Sequence, residues 1–186
     1  APDWMILKFL DTTSAWSVYH KSLGNTKRLT LDTNGAVSTD STYWNNTSPT
    51  STVFSVGSSF NQASAYDYIV YCWNEVPGFS KFNSYTGNGN TNGPFVYTGF
   101  RPSWIMVRRS DSGNDWQIFD ATRNPFNPVD RRLYSNLANA EAVGSTSDIF
   151  DFTANGFKVR EDNAAINTNG GTYLYMAFAE HPLVGD

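Results

Sequence analysis

The chain reads as an all-β protein: an antiparallel β-sandwich built from two sequence-similar halves. Three observations predict it. Aromatic residues make up 16% of the chain and charged residues only 16%, below the usual charged fraction of about 25%. The polar surface must then be largely Asn, Ser and Thr, which, with Gly, suit turns and pleated strands. Apolar runs of strand length alternate with turn signals along the whole chain. The chain also repeats itself: Trp4 and Trp104 stand 100 residues apart, and so do Trp16 and Trp116.

The 186 residues fit a single, internally duplicated domain (1–186). A domain near this size hides roughly 70% of its unfolded surface. Net charge is −4 and the pI is near 5.1. The longest basic clusters are Arg108-Arg109 and Arg131-Arg132, so no nucleic acid partner is expected. Even the longest apolar runs are short, such as Tyr68–Trp73, and no membrane insertion is expected. Cys72 is the only cysteine, which leaves no internal disulfide.

In the first copy (1–77), Trp4–Leu10 is an apolar run with both faces suited to burial, as in a central strand. Asp11–Ser14 is a turn, and Ala15–Tyr19 alternates as the hairpin partner. Arg28–Leu31 is a short strand, and Asn34-Gly35 is a tight-hairpin signal. Val53–Val56 reads as a further strand. Tyr66–Trp73 is the most apolar strand of this copy. Trp44 stands alone in a polar stretch. It is either a ring that stacks a sugar or a core tryptophan.

Residues 78–101, GFSKFNSYTGNGNTNGPFVYTGFR, read as a connector between the copies. Its Gly and Asn residues disfavour a helix, and GNGNTNG is a tightly turned or mobile loop. Phe95-Val-Tyr97 has the length of a short strand. Two readings stand side by side. In one, the aromatics cover an edge of the core. In the other, the stretch is a ligand loop, because aromatic faces stack on sugar C–H surfaces and Asn amides both donate and accept. Phe82, Tyr85, Asn88, Asn90, Asn92 and Tyr97, with Trp44, are the candidate binding residues.

The second copy (102–186) follows the first closely. Trp104, Met106 and Arg108 match Trp4, Ile6 and Lys8, and Trp116, Ile118 and Phe119 match Trp16, Val18 and Tyr19. Arg132-Leu133 matches Arg28-Leu29 after a four-residue insertion, Phe157 and Val159 match Phe54 and Val56, and Tyr173–Phe178 matches Tyr68–Trp73. Asn155-Gly156 predicts a second tight hairpin. Asn127–Tyr134 is the one place where a helical turn is expected, with Asn127 as cap and Pro128 at its first position. The two copies are expected to complete one sandwich, because that leaves fewer open strand edges.

No catalytic constellation emerges, and the chain is not expected to be an enzyme. His20 and His181 are the only histidines, both read as surface residues. No G-x-S-x-G elbow occurs. No metal centre or cofactor is expected, because Cys and His are scattered; calcium stays an alternative at the oxygen-rich turns Asp111–Asp115 and Asp148, Asp151, Glu161 and Asp162, of which the first lacks EF-hand order. Paired carboxylates for glycoside hydrolysis stay open among Asp67, Glu75, Asp120, Asp130, Glu161 and Glu180. Glu75 and Glu180 follow the last strand of each copy and read as strand-end anchors.

The segment SKFNSYTGNGNTNGPFVYTGFRPSWIMVRRSDSGNDWQIFDATRNPFNPVD, with the closing GGTYLYMAFAEHP, resembles a domain near the C-terminus of tail fibres and other tail-associated structural proteins of tailed bacteriophages. That resemblance implies a lectin-like jelly roll. It also implies a location in the virion tail, after synthesis in the bacterial host cytoplasm. The expected role is that of a homotrimeric adhesin that binds bacterial surface polysaccharide or lipopolysaccharide without cleaving it. Two other roles remain: a purely structural tail module and a glycan depolymerase.

Overall fold

The structure, a computed structural model, describes residues 1–61, 66–142 and 149–182. Its strands are antiparallel throughout, as the turn-punctuated sequence predicts. The chain divides into two compact units, Ala1–Asn74 and Glu75–Asp186.

The first unit carries β1 (Trp4–Phe9), β2 (Ser17–His20), β3 (Lys27–Thr30), β4 (Ser38–Thr39), a one-turn helix α1 (Ser41–Trp44) and β5 (Tyr68–Trp73). The sheet order is β4-β3-β2-β1-β5, so β1 is internal as its apolar run predicts. Met5, Leu7 and Tyr19 from the sheet pack against Trp44 and Phe60, with Phe54, Val56 and Val70 at the margin. Asp40 caps the helix: its carboxylate accepts from Thr42 N at 2.9 Å and Thr42 Oγ1 at 2.6 Å. These bonds hold the Asp40 carboxyl below the usual carboxylate range. Asn45 ends the turn in the left-handed region, at φ 52°.

One open reading is decided here and two expectations change. Trp44 is 1% exposed, with its ring 5.7 Å from Tyr19 and 5.6 Å from Phe60. It is a core residue, and the capped turn is what carries it inward. Val53–Val56 is not a strand; Phe54 and Val56 reach the core from an irregular segment. That segment comes so close to the helix that a Cβ on Gly57 would lie 2.3 Å from the Thr42 carbonyl oxygen. Asn34-Gly35 lies within the longer connection between β3 and β4, which pair at Lys27↔Thr39 and Arg28↔Ser38.

The second unit is a two-sheet sandwich. Its strands are β6 (Ser80–Thr86), β7 (Phe95–Tyr97), β8 (Pro102–Arg109), β9 (Gln117–Asp120), β10 (Leu133–Tyr134), β11 (Phe150–Thr153), β12 (Gly156–Val159) and β13 (Thr172–Ala179). One sheet has the order β10-β9-β8-β13-β6 and the other β11-β12-β7. Ile105, Val107, Phe119, Tyr173 and Tyr175 of the first meet Val96, Phe150, Phe152, Phe157 and Val159 of the second. Phe157 lies at the centre, its ring 5.4 Å from Phe150, 5.3 Å from Tyr175 and 6.0 Å from Tyr85.

The stretch read as a connector therefore supplies two strands, one to each sheet. β6 was missed because Asn83 and Ser84 interrupt its apolar residues. The expected helical turn at Asn127–Tyr134 is absent: Asn127 bonds Phe152 N and O like a strand neighbour, at 2.9 and 3.0 Å, and Leu133–Tyr134 is β10. The β11–β12 hairpin forms, but its tip is Ala154-Asn155 and Gly156 is already paired with Thr153.

Both units share a meander in one register. Ile6 pairs with Val18 and Tyr71, and Met106 pairs with Ile118 and Met176. Val18 pairs with Leu29, and Ile118 with Leu133. The sequence repeat is thus also a repeat of strand register.

Replacing Trp44 by alanine removes a fully buried ring from the small first core. The expected cost is about 3–5 kcal/mol, read as a lower urea midpoint for the loss of Trp fluorescence.

Candidate functional site

The Asn/Gly loop bonds chiefly to itself and to Asn167. Asn88 Oδ1 accepts from Asn90 N at 3.1 Å, Asn90 Oδ1 from Asn92 N at 2.8 Å, and Asn88 Nδ2 donates to Asn92 O at 3.0 Å. Each is a side chain turned onto backbone two to four residues away, which is why Asn favours such turns. Asn167 is wholly buried and acts as the hub. Its Oδ1 accepts from Asn88 N at 2.8 Å, and its Nδ2 is shared among Asn88 Oδ1, Asn90 O and Glu161 O at 2.8–3.0 Å. Asn88, Asn90 and Asn92 remain at the surface, but the Asn88 amide already bonds Asn90, Asn92 and Asn167.

Phe82 and Tyr85 are not ligand groups. Phe82 is 0% exposed, with its ring 5.9 Å from Phe178. Tyr85 is 7% exposed and stacks on Tyr173 at 5.0 Å. Its hydroxyl donates to Ile166 O at 2.8 Å, while Tyr173 Oη donates to Ala164 O at 2.9 Å and accepts from Thr168 N at 2.7 Å. The stacked pair therefore holds the 164–168 turn that carries Asn167. Burial, and next to it the Tyr173 hydroxyl, push the Tyr85 phenol well above its ordinary range.

Of the candidate residues, Tyr97 presents the largest apolar face. Strand β7 alternates: Val96 enters the core while Phe95 and Tyr97 point outward, 48% and 65% exposed. A glycine backs each ring. A Cβ on Gly156 would lie 2.1 Å from Val96 O and 3.0 Å from Phe95 Cζ, and one on Gly99 would lie 3.6–3.8 Å from the Tyr97 ring and hydroxyl. The small residues seat the rings without covering them. Across the same face, Lys158 pairs with Phe95 in register, and Asp151 pairs with Lys158. Lys158 Nζ donates to Gly93 O, and Asp151 meets Arg160 at 3.5 Å. Phe95 was not among the sequence candidates. The signal was present in the Phe-Val-Tyr alternation, which puts both rings on one face.

A pocket of about 280 Å³ adjoins Tyr97 through Gly99; Phe100, Arg101, Ala154, Glu180 and His181 complete its lining. Arg101 Nε binds Glu180 Oε2 at 2.6 Å and its Nη1 donates to Phe152 O at 2.6 Å. The pocket thus offers a carboxylate, a guanidinium and an imidazole beside an aromatic ring.

The other titratable groups have local tasks. Glu75 accepts from Lys81 Nζ and Phe82 N, both at 3.0 Å, and, like Glu180, anchors a strand. Asp120 holds Arg123. Asp111 pairs with Arg109 at 2.7 Å, and Asp115 Oδ1 accepts from Asn136 Nδ2 at 2.7 Å. The Arg109 hydrogen bond draws the Asp111 carboxyl below its usual range. Asp148 lies outside the described residues. His20 is fully buried, correcting its reading as a surface residue: its ring meets Trp4 edge-on at 4.9 Å and its Nδ1 accepts from Ser22 N at 3.0 Å. Among the described residues, no helix is long and apolar enough to cross a membrane.

Asn167→Ala leaves the Asn88 amide and the Asn90 carbonyl without their buried partner. The expected cost is about 1–3 kcal/mol, with faster hydrogen exchange at Asn88, measured by urea unfolding and NMR.

No curated protein and no solved structure matches the chain. A family model does match, over residues 1–182: the chain belongs to the DUF7483 family, described as a domain of unknown function.

Proposed function

We propose that the chain is a receptor-binding domain of a bacteriophage tail fibre, which attaches to a bacterial surface glycan without cleaving it. The observation that carries the glycan reading is the outward pair Phe95 and Tyr97 on one face of β7, 48% and 65% exposed. Large aromatic rings are rarely left bare side by side without a partner to cover them. Alternate residues of a strand stand about 7 Å apart, so the two rings offer adjacent stacking surfaces to a chain of sugars. The tail location rests on the resemblance of residues 80–130 and 170–182 to phage tail domains.

Stacking places a sugar's C–H face on the rings and leaves its hydroxyls pointing sideways. At the Gly99 end those hydroxyls meet Glu180 as an acceptor and Arg101 and His181 as donors. The loop that leads into Phe95 carries the exposed residues Asn90 and Asn92. Glu180 is held by Arg101, which suits a fixed acceptor better than an acid that must give up a proton. A shallow site of this kind binds weakly, and several copies on one fibre would raise avidity by roughly 10²–10⁴.

The test is binding of labelled full chain to a panel of bacterial strains, before and after periodate oxidation of their surface sugars. Strain-specific, periodate-sensitive binding is expected. Phe95→Ala with Tyr97→Ala should lower it at least about tenfold, with stability changed by about 0.5 kcal/mol or less per site, as for other surface substitutions. Wild-type binding by the double variant would exclude the platform. Binding to no strain would favour the structural tail module, and release of reducing ends would favour the depolymerase.

A further inference from the structure

The two copies of the meander end differently. In the second unit β13 is paired on both sides, with β8 on one edge and with β6 from Thr172↔Thr86 to Phe178↔Ser80 on the other. Its counterpart β5 pairs with β1 alone and closes its sheet. The position that β6 fills beside β13 has no occupant beside β5 among the described residues.

The hydrogen-bond phase defines what β5 offers. Leu10 N donates to Asp67 O at 2.9 Å and Asp3 N donates to Trp73 O at 2.8 Å. Odd-numbered residues of β5 therefore turn their backbone groups toward β1. Tyr68, Val70 and Cys72 turn theirs away, and no backbone group among the described residues meets them.

The strand itself is undefended. Its sequence, Tyr-Ile-Val-Tyr-Cys-Trp, has no charge, no proline and no glycine, the usual means of blunting an open edge. Tyr71 is 43% exposed and stacks on Trp73 at 6.0 Å. The other sheet edges are poorer templates. β4 and β10 have two residues each and β7 three, β11 is met on its outer side by Asn127 and Val129, and β6 carries Lys81, bound to Glu75.

We infer that β5 is a self-association edge, which pairs antiparallel with β5 of a second copy about a two-fold axis at Val70. The open groups are symmetric about that residue. Val70 meets its own copy, Tyr68 meets Cys72, and Cys72 meets Tyr68, each as a hydrogen-bonded pair with no shift of register. Such isologous contact is the commonest way in which identical chains assemble. The two five-stranded sheets then run on as one across the axis. This pairing is independent of the glycan reading, and it gives a two-fold unit where the phage resemblance implies a three-fold one.

The test uses the full chain, with reductant present so that Cys72 forms no cross-link. Sedimentation equilibrium at tens of micromolar is expected to give twice the 20.7 kDa of one chain. Val70→Pro removes the N–H on the axis, where proline is tolerated because that N–H faces away from β1. Tyr71→Lys keeps the backbone and sets two cations diagonally across the axis, about 7–8 Å apart. Each is expected to raise the dissociation constant about tenfold or more, with Tyr71→Lys still folded by circular dichroism. The Val70 and Cys72 amides should exchange more slowly as concentration rises. A monomer at about 100 µM, a three-fold mass, or a dimer that Tyr71→Lys leaves intact with fast exchange at Val70 would each overturn the inference.

Discussion

The second unit depends on β13 having neither a free edge nor a free face. Both of its edges are hydrogen-bonded, and every residue from Tyr173 to Ala177 is buried. Each part of the candidate site is placed through it. Its β6 neighbour leads into the Asn/Gly loop, and Tyr173 clamps the turn that holds that loop's hub. Its β8 neighbour begins just after Arg101. A register shift at Phe178/Ala179 turns the strand end so that Glu180 N donates to Arg101 O at 2.9 Å. Bulges of this kind re-aim side chains at sheet ends, and here one brings the Glu180 carboxylate onto Arg101.

The smaller sheet works by contrast between its faces. Inward go Val96, Phe150, Phe152, Phe157 and Val159; outward go Phe95, Tyr97, Asp151, Thr153 and Lys158. Burial would have stabilised the outward rings by roughly 1.5–3 kcal/mol each, and the fold leaves that gain unrealised. Gly156 explains why the rings are positioned as well as exposed. Any side chain there would collide with the Val96 carbonyl and displace Phe95. Glycine at this point serves a close approach of strands, and the tight turn falls to the residues before it.

The sequence made the scaffold legible because strands announce themselves through local pattern. Trp4–Phe9, Lys27–Thr30 and Thr172–Ala179 overlap the expected Trp4–Leu10, Arg28–Leu31 and Tyr173–Phe178, and the repeat of register follows the repeat of Trp4 and Trp104. The site was far less legible. Composition identified an aromatic and amide kit in residues 78–101, but it could not sort inside from outside. Phe82 and Tyr85 share β6 with polar Asn83 and Ser84, and only the packing on Phe178 and Tyr173 shows that both rings are covered. Trp44 looked isolated because its partners, Tyr19 and Phe60, are distant in sequence. Val53–Val56 has strand-forming residues but no strand to ladder with among the described residues, and packing overrode propensity. Phe95 was the avoidable omission, since Phe-Val-Tyr as a strand already sets two rings on one face.

Residue type and burial disagree most sharply between the two equivalent strands. β13 is Thr-Tyr-Leu-Tyr-Met-Ala-Phe-Ala and lies almost wholly inside; β5 is Tyr-Ile-Val-Tyr-Cys-Trp and lies half outside. Both have the composition of a strand with neighbours on each side. A duplicated meander can share register through its common ladder, because hydrogen bonding is indifferent to side chains. Its outer edge carries no such constraint and is free to diverge. In the second copy the chain supplies β6 and satisfies the strand it built. In the first copy the same apolar character persists without a cover from the same sheet. Single exposed apolar residues need no explanation, but an uncharged edge six residues long, with its hydrogen-bonding groups open, has the chemistry of an interface.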